Sequence, residues 1–536
     1  MVATGGGRVS VVADLLVVGA GPSGLALALQ AHDHGARVRI VERRAEAFRP
    51  SRALIVHPRT LEVLRPLGVT DAILARADTA PAVALRLGRR VVRVRLDGFA
   101  LPDTAFPHLT LVRQTDVESV LARALADRGV AVEWNTELIA VETDTTGARA
   151  TLRSPTGTET AEAAYVVGCD GPGSTVRRCA GVAWPGGPYG EEVVLADLEL
   201  DAKLADGVTH AAAGRRGLLL VFALGERATW RLLATRPAGC DSLPFGQPGP
   251  PVPAGELQVL LEDAGLDARI TDLAWSARYR LQHRLATRFR QGRLFLVGDA
   301  AHAYSPATGQ GMNTGIQDAL NLGWKLAFSQ SATDPAALLD SYERERRPVV
   351  RRALAVTHLA FWAEASPGPL PALLRGVVGP LVAPVIPALA GRRRLLGVVL
   401  RVVSQLRAAY GDSELSTEGR PRLTAGPRPG QRLPDATVTV GGQRVRLHAL
   451  LATPAVHVLL DRDASQLEFR DFGPHVVIHR LTSAPGTGLV AVRPDGYVGF
   501  RCGAADASQL RDWLERIGAT AFARRLATAP TLPLTR

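Results

Sequence analysis

Cysteine is scarce in this chain, and its spacing excludes two classes of protein. The four cysteines among 536 residues are Cys169, Cys179, Cys240 and Cys502, and no two have the CxxC spacing of metal or redox sites. A disulfide scaffold is therefore excluded, and we predict no metal site. The N-terminus also lacks a basic segment followed by a cleavable apolar stretch, so we expect a cytoplasmic protein.

Long hydrophobic runs are missing as well. The apolar run from Leu15 to Leu29 is interrupted by a cluster of glycines, and the uncharged run over residues 376–391 contains three prolines. A membrane helix needs about 20 predominantly apolar residues, and proline inside a helix disrupts its hydrogen bonds. We therefore predict no membrane partner.

Lysine is nearly missing, although the chain is basic. Lys203 and Lys325 are its two lysines, so 63 − 2 = 61 of the basic residues are arginine, and the formal net charge is +12. A basic chain can indicate a nucleic-acid partner. Here the arginines are spread along the sequence and mixed with acidic residues, so we predict no nucleic-acid binding. Hydrophobic residues make up 46% of the chain, which predicts a globular protein of two large domains or about three smaller ones.

The first motif lies in a βαβ unit near the N-terminus. A buried strand over residues 14–18 leads into Gly19-x-Gly21-x-x-Gly24, a helical pattern follows, and the next strand ends at Glu42. The glycines allow a tight turn, a close backbone approach to a pyrophosphate and close helix–strand packing, and the acid can bind a ribose. A glycine-rich turn without a ligand is the alternative, but the complete unit indicates a dinucleotide site.

The second motif is a strand that ends in Asp170-Gly171. An Asp-Gly pair at the end of a strand is commonly a simple turn, so this motif by itself favours no ligand.

The third motif joins a strand end to a helix start. The strand over residues 292–297 leads to Asp299, and beyond Pro306 the segment Gly309-Gln-Gly311-Met312-Asn313 opens a helix. An aspartate at a strand end can bind a ribityl hydroxyl, and a helix N-terminus stabilises negative charge such as that of a reduced flavin. His302, close to Asp299, is expected to be a packed loop histidine.

In this order and spacing, the three motifs resemble those of the single-component flavoprotein monooxygenases, which include para-hydroxybenzoate hydroxylase, phenol hydroxylase and the oxygenases of aromatic polyketide pathways. The polyketide group is most similar. Ser51-Arg52-Ala53 with Arg59-Thr-Leu-Glu62 resembles its sequence after the second strand, and residues 429–435 and 493–497 resemble parts of its C-terminal thioredoxin-like domain. The resemblance covers essentially the whole chain.

The resemblance implies an α/β fold with a Rossmann-like GxGxxG FAD-binding domain, a β-sheet substrate domain and a C-terminal thioredoxin-like domain. The expected ranges are 1–75, 108–185 and 286–365 for the FAD-binding domain, 76–107 and 186–285 for the substrate domain, 366–425 for a helical segment and linker, and 426–536 for the C-terminal domain. The last domain contains a single cysteine, Cys502, so we expect a structural or oligomerisation role rather than dithiol chemistry. A homodimer is compatible with the sequence, which leaves the oligomeric state open.

The resemblance also implies one non-covalent FAD and assigns its contacts. The expected cofactor-binding residues are Gly19, Gly21 and Gly24 at the diphosphate, Glu42 and Arg43 at the adenosine, Arg113, Gln114 and Asp170 along the cofactor, Asp299 at the ribityl chain, and Gly309, Gly311, Met312 and Asn313 at the pyrimidine end. Asp170 would also serve NAD(P)H, and Pro306 would lie beside the flavin ring where oxygen reacts.

By the same resemblance, NAD(P)H reduces the flavin, O₂ is activated on it, and one oxygen atom enters a polycyclic aromatic polyketide in antibiotic biosynthesis. Ring hydroxylation and Baeyer–Villiger insertion into a ring ketone remain alternatives, as do a drug-inactivating monooxygenase and a non-enzymatic flavoprotein. A flavin-dependent halogenase is disfavoured, because the chain has no Trp-x-Trp pair and no lysine before Lys203.

Three residues are predicted to act on the substrate. Arg52 would lie beside the flavin, where its planar guanidinium could hold a substrate oxygen or an anionic oxygen species, although contact with the cofactor alone is equally compatible. Phe222 and Trp230 fall on the two strands of a predicted hairpin and could stack on a polycyclic substrate, or could belong to the core.

Overall fold

A computed structural model describes residues 13–520 except 47–52, 88–89, 203, 206, 215–216, 224–229, 240–247, 367, 379–380, 382–383, 386–387, 389–390, 465–471 and 484–485. Three large sheets organise the described chain. No helix in these ranges is both long enough and apolar enough to cross a membrane.

The first sheet contains the predicted βαβ unit. β1 (Ala13–Val18) and β2 (Val38–Val41) pair in parallel, and α1 (Pro22–Asp33) connects them. The sheet also contains β7 (Val132–Glu133), β8 (Glu137–Thr143), β9 (Ala148–Ser154), β10 (Gly157–Gly168), β16 (Arg290–Gln291) and β17 (Leu294–Leu296). Its main path runs β16–β17–β10–β1–β2–β7, and β8 and β9 extend β10 as an antiparallel ribbon.

The three motif strands are neighbours in this sheet. β10 pairs in parallel with β1 on one side and with β17 on the other. Because the carboxyl ends of adjacent parallel strands lie at the same edge of a sheet, the loops after β1, β10 and β17 meet there, as ligand sites in such folds require. The sheet thus brings the three sequence motifs together at this edge, which we call the motif edge.

The second sheet is mainly antiparallel. In spatial order it contains β18 (His302–Ala303), β15 (Ala268–Leu285), β11 (Gly186–Ala202), β14 (Trp230–Pro237), β13 (Gly217–Ala223), β12 (Val208–Gly214), β4 (Ala82–Leu87) and β5 (Arg90–Arg95). β13 and β14 pair as the predicted hairpin. The strand β18 comes from inside the range expected for the FAD-binding domain, so the expected domain limits stay predictions.

The third sheet belongs to the C-terminal part of the chain. Its order is β19 (Thr417–Glu418), β25 (Val498–Cys502), β24 (Leu489–Val492), β22 (Val456–Leu460) and β23 (Val476–Arg480). Two small ribbons complete the strands: β3 (Ile55–Val56) with β6 (Thr110–Leu111), and β20 (Thr437–Val440) with β21 (Gln443–Arg446).

Helices connect and cover the sheets. They are α2 (Pro58–Leu64), α3 (Thr70–Leu74), α4 (Gln114–Asp127), α5 (Thr175–Cys179), α6 (Ala254–Asp263), α7 (Gln310–Phe328), α8 (Pro335–Ala365), α9 (Pro369–Leu373), α10 (Arg393–Val403), α11 (Leu447–Leu450) and α12 (Ala507–Ile517). The helix α8 continues through Pro348, which lies in its interior. Proline costs a helix one hydrogen bond, but packing of α8 against α7 holds the helix together across it.

Candidate active site

The glycines of the first motif have different surroundings. Gly19 has φ +105°, and a Cβ there would lie 2.4 Å from the carbonyl oxygen of Cys169. A Cβ on Gly24 would lie 1.9 Å from the carbonyl oxygen of Gly19, whereas a Cβ on Gly21 would meet nothing within 4 Å. Gly19 and Gly24 are therefore required by the turn and by the packing of α1 on the sheet. Gly21 is the position that leaves space at the helix N-terminus.

Glu42 lies beside this turn, directly after β2. Its Oε2 accepts a hydrogen bond from the Ala20 amide at 2.9 Å, and its Oε1 accepts one from Arg44 Nε at 3.0 Å. Burial acts to raise the pKa of Glu42, but Arg44 and the Ala20 amide outweigh burial and hold the pKa below its usual value. The carboxylate is thus ionised at the glycine turn, and Arg43 beside it is exposed.

Asp170 follows β10 and caps the short helix α5. Its Oδ2 accepts from the amides of Thr175 and Val176 at 2.7 and 3.2 Å. Its Oδ1 is buried and has no hydrogen-bond partner among the described residues. Burial raises the pKa of this carboxyl group. One carboxylate oxygen of Asp170 therefore stabilises the loop, and the other is a buried hydrogen-bond acceptor at the motif edge.

The loop after β17 packs tightly onto α1. Gly298 has φ +60°, and a Cβ there would lie 2.7 Å from Ser23 Oγ, while a Cβ on Gly315 would lie 2.3 Å from the same atom. These close approaches bring α7 and the β17 loop to the N-terminus of α1. Asp299 is exposed in this loop, so the predicted ribityl ligand is accessible at the motif edge.

His302 is a packed histidine, as the sequence suggested. The side chain is fully buried, and its Nε2 lies 2.6 Å from Asp318 Oδ2. Asp318 also pairs with Arg346, with 2.6 Å between Nε and Oδ1. This buried group fixes the loop from Asp299 to Ser305 and does not open toward the motif edge.

The segment at the start of α7 has an unusual backbone. Thr308 and Gly309 both have positive φ, 66° and 62°, and Pro306, two residues before Thr308, is exposed. A left-handed conformation at a threonine costs energy and persists only where the surroundings hold it. A Cβ on Gly311 would meet nothing within 4 Å, so the first turn of α7 opens onto free space just as α1 does at Gly21.

Asn313 supports this segment with its side chain. Its Nδ2 donates to the carbonyls of Ile55 and Gly309 at 2.8 and 2.7 Å, and its Oδ1 accepts from the His57 amide at 2.8 Å. Only the backbone of Asn313 is left for the cofactor contact that the sequence predicts. Met312, the residue before it, is half-buried against the main core.

Arg113 and Gln114 stand at the start of α4. Arg113 pairs with Asp116 at 2.8 Å, and the amide of Gln114 donates to the Ala53 carbonyl at 3.0 Å. The start of α4 is thereby tied to the chain that follows Arg52. Ser51 and Arg52 lie outside the described residues, so the predicted role of Arg52 stays a prediction.

The hairpin aromatics lie on opposite faces of the second sheet. Phe222 is paired in register with Arg231 and Ala223 with Trp230, so Trp230 and Phe222 point in opposite directions. Trp230 packs with Leu257 and Leu261 of α6 on the outer face. The expectation that both rings stack on one substrate is therefore wrong: Trp230 is a core residue because α6 covers its face, and Phe222 alone remains a candidate.

The face that carries Phe222 is continuous with the Pro306 loop, and we call it the inner face. Its members on the central strands are Val193, Leu195, Leu220, Phe222 and Leu233. Leu281 packs with Val193 and Leu195 and also with Ala307. A buried ion pair interrupts this apolar surface: Arg231 donates to both oxygens of Asp197, each at 2.7 Å.

Sequence reasoning did not find His57. It is buried and lies between β3 and α2, with Nε2 2.9 Å from the Thr308 carbonyl and Nδ1 3.3 Å from Ser404 Oγ. Burial lowers the pKa of His57 to about 4, so the ring is neutral at pH 7. The only sequence signal was its place before Pro58, which marks a helix start. Its contact with the Thr308 carbonyl joins positions 251 residues apart, which no local pattern indicates.

These observations fit a bound FAD. Two helix N-termini face the same sheet edge, and each has a glycine, Gly21 and Gly311, whose missing side chain leaves open space. An ionised Glu42, a buried unpartnered oxygen on Asp170 and an accessible Asp299 lie along the same edge. Positive helix ends suit a pyrophosphate and an electron-rich ring, and carboxylates suit sugar hydroxyls.

Comparison with known families agrees with the fold and the site. Residues 12–357 match the family model described as FAD binding domain, and residues 426–521 match the one described as aromatic-ring hydroxylase, C-terminal.

Relatives and solved structures cover nearly the whole chain. The 6-methylpretetramide 4-monooxygenase of Streptomyces rimosus is 32% identical over 97% of this chain and 94% of its own length. The structure of OxyS, anhydrotetracycline hydroxylase from Streptomyces rimosus, superposes with a TM-score of 0.76 at 30% identity, over 95% of this chain and 100% of that one. CabE, an aromatic hydroxylase from angucycline biosynthesis, superposes with a TM-score of 0.73 at 27% identity, over 95% and 100% of the two chains.

Proposed function

The chain belongs to the FAD-binding-domain family and is a flavin-dependent monooxygenase, and from this premise we propose that it hydroxylates a ring of a polycyclic aromatic polyketide. NAD(P)H is the proposed reductant and the cytoplasm the proposed place of action. The observation that carries the substrate class is the 32% identity, over 97% of the chain, to a 6-methylpretetramide 4-monooxygenase. A relative named anhydrotetracycline monooxygenase is 33% identical over 90% of the chain. It is supported by the apolar inner face, whose side chains Val193, Leu195, Leu220, Phe222 and Leu233 suit an aromatic ring system.

The proposed cofactor contacts follow the motif edge. The turn of Gly19, Gly21 and Gly24 holds the diphosphate at the N-terminus of α1. Glu42 and Arg43 contact the adenosine. Asp299 binds the ribityl chain, and Arg113, Gln114 and Asp170 make further contacts along the cofactor. When bound, FAD supplies hydride acceptance from NAD(P)H and the activation of O₂. The backbone from Gly309 to Asn313 presents the positive end of α7 to the pyrimidine end of the ring, where negative charge develops on reduction.

The remaining residues bind and orient the substrate. Phe222 and the leucines of the inner face contact the ring system and exclude water from the reacting carbon. The Arg231–Asp197 pair is the polar element of that face and can accept or donate to a phenol or ketone of the substrate. Pro306 forms the edge of the pocket beside the flavin. Arg52 holds the substrate oxygen through its guanidinium fork.

A product assay tests this function. The purified yellow protein is given NAD(P)H, ¹⁸O₂ and either a tetracyclic polyketide phenol or a one-ring phenol. We expect consumption of NAD(P)H coupled to a tetracyclic product that carries one ¹⁸O atom on an aromatic carbon, and little coupling with the one-ring phenol. NAD(P)H oxidation without an oxygenated product would refute the substrate class.

The same assay distinguishes ring hydroxylation from Baeyer–Villiger insertion. Both reactions add one oxygen atom, but only the second gives a lactone, which mild alkali opens by adding water. A product that gains one water in alkali would replace hydroxylation with ring expansion. Sedimentation of the same preparation measures whether the protein is a homodimer.

A further inference from the structure

Arg432 of the C-terminal domain is buried against a carboxylate of the FAD-binding part of the chain. It donates to both oxygens of Glu62, with 2.5 Å between Nη2 and Oε1 and 2.8 Å between Nε and Oε2. Arg59, also on α2, donates to Glu62 and to the Asp495 carbonyl, at 3.0 and 2.7 Å. Burial acts to raise the pKa of Glu62, but the Arg432 charge outweighs it and leaves the pKa at about 2. A residue of the C-terminal domain is therefore the largest of the influences that keep Glu62 ionised, with Arg59 adding to it.

Arg493 and Asp495 make a second contact of the same kind. Arg493 donates to the two oxygens of Glu345 on α8, at 2.7 and 2.8 Å. Asp495 Oδ2 accepts from Asn321 Nδ2 on α7 at 2.9 Å, and Lys325 Nζ donates to Glu345 Oε2 at 2.7 Å. All of these side chains are buried. Water cannot replace a buried contact that is lost, so each one is costly to break.

Both contacts are made on helices that begin at the predicted flavin segment: Glu62 lies five residues after His57 on α2, and Asn321 lies eight residues after Asn313 on α7. α2 begins directly after His57, which binds Asn313 through its amide and the Thr308 carbonyl through its ring. α7 begins at Gln310, so its first turn contains Gly311 and Asn313. A shift of α2 or α7 relative to the C-terminal domain therefore moves the backbone of residues 308–313.

Apolar packing joins the two parts as well. One continuous core contains Leu15 and Leu27 of the first sheet and helix together with Val458 and Trp513 of the C-terminal domain. A close-packed core transmits a displacement rather than absorbing it.

We propose that Arg432 and Asp495 are positioning residues for the flavin site. They fix α2 and α7 against the C-terminal domain and so hold residues 308–313 in the conformation that binds the pyrimidine end of FAD. This inference rests on the proposed function, because it takes FAD to bind at that segment. The C-terminal domain is then a support of the cofactor site rather than an appended module.

Arg432→Lys is the main test, and Arg501→Lys is its matched control. Both substitutions keep the charge, lose the planar fork and change a largely buried side chain of the C-terminal domain. Among the described residues, the Arg501 side chain binds Glu418 and the carbonyls of residues 425–427, and none of these lies on α2 or α7. The readouts on full-length apoprotein are the FAD dissociation constant, by fluorescence titration, and amide hydrogen exchange over residues 308–313.

We expect Arg432→Lys to weaken FAD binding at least tenfold and to speed exchange at residues 308–313. Arg501→Lys should lower the melting temperature by a similar amount but change FAD affinity less than twofold. Equal FAD affinity in the two variants, or faster exchange confined to residues 426–520, overturns the proposal.

Asp495→Asn is the second case, because it removes a charge from the α7 contact without changing the size of the side chain. It decides the question by the same criteria if Arg432→Lys does not fold. A folded Asp495→Asn protein with wild-type FAD affinity and wild-type exchange contradicts the proposal.

Gly311→Ala separates a failure of this inference from a failure of the proposed flavin site. If Gly311→Ala leaves FAD affinity unchanged, FAD does not bind at that segment. Exchange in the apoprotein still reports whether Arg432 controls residues 308–313, because that measurement needs no cofactor.

Discussion

Gly21 and Gly24 lie three positions apart in one turn, yet the lack of a side chain has a different consequence at each. At Gly24 the space that a Cβ would fill already contains the carbonyl of Gly19, 1.9 Å away. At Gly21 that space is open, and the backbone there has an ordinary extended conformation with φ −75° and ψ −179°. The fold therefore requires the second glycine of this pair, whereas the open space at the first is where we propose that the diphosphate binds.

Alanine substitutions distinguish these two roles. Gly21→Ala should leave the melting temperature of the apoprotein within about 1 °C of wild type and weaken FAD binding at least tenfold, about 1.4 kcal/mol. Gly24→Ala should destabilise the apoprotein itself by about 1–3 kcal/mol or more, because the helix must move off the strand. Thermal melting and FAD titration of both apoproteins check this. Equal melting temperatures for the two variants would show that the close contact at Gly24 is relieved cheaply.

Arg52 allows a similar separation of roles by substitution. If its fork holds the substrate oxygen, Arg52→Ala should lower kcat/KM by about 10–1000-fold, equivalent to about 1.4–4 kcal/mol of transition-state stabilisation, at unchanged FAD content. The kcat/KM of Arg52→Lys should lie between those of Arg52→Ala and the wild type, because lysine keeps the charge and loses the planar fork. Loss of flavin together with activity, restored by added FAD, would assign Arg52 to the cofactor instead.

Among the elements, the junction of β3, α2 and the start of α7 depends on a neutral histidine. The ring of His57 lies against the Thr308 carbonyl, in the stretch of positive φ. His34, at the end of α1, and His457, in β22, are buried in the same way, and burial lowers the pKa of each of the three to about 4. Folding therefore requires three rings to stay uncharged while the unfolded chain can protonate them.

This predicts a loss of stability in mild acid. The native pKa values lie below the unfolded value of about 6.5, so the unfolded chain binds more protons between about pH 6.5 and pH 4. Stability should be complete above about pH 6.5 and fall as the pH drops toward 4, by up to about 3 kcal/mol for each histidine. Melting temperatures measured from pH 7.5 to 5 check the trend, and His57→Gln should make it shallower. A melting temperature that stays constant over this range would contradict the assignment of neutral buried rings.

The predictable parts of the fold are those whose signal is local. The βαβ unit and the start of α7 could be placed from the sequence because glycine spacing and hydrophobic periodicity lie within one segment. The environment of Trp230 could not be predicted, because it depends on Leu257 of α6, which lies 27 positions further along the chain. The length of α8 was hidden by Pro348, whose local preference is overridden by packing. Asn313 binds Ile55 and His57, and Glu62 binds Arg432, across 250 or more positions, and no spacing rule reveals these partners.

For the molecule as a whole, the C-terminal domain carries charges that the rest of the chain needs. Glu62 and Glu345 are buried outside that domain, and their main partners, Arg432 and Arg493, lie within it. Removing one partner of a buried ion pair typically costs about 3–5 kcal/mol. Each carboxylate would keep one charged partner, Arg59 or Lys325, but would lose the arginine that binds both of its oxygens. Two such losses are comparable with the whole stability of a typical protein, about 5–15 kcal/mol.

Deletion of residues 430–536 should therefore abolish folding rather than merely remove a module. We expect the truncated chain to accumulate in the insoluble fraction and to retain no FAD. The same truncation with Glu345→Gln should yield more soluble protein, because the carboxylate that lost Arg493 is gone, and Lys325, whose pKa burial lowers to about 8, can release its proton. The soluble fraction and bound flavin of the two truncations measure this. A soluble, FAD-saturated truncation with a wild-type melting temperature would contradict this prediction. It would show that Glu62 and Glu345 do not need Arg432 and Arg493 once the C-terminal domain is absent.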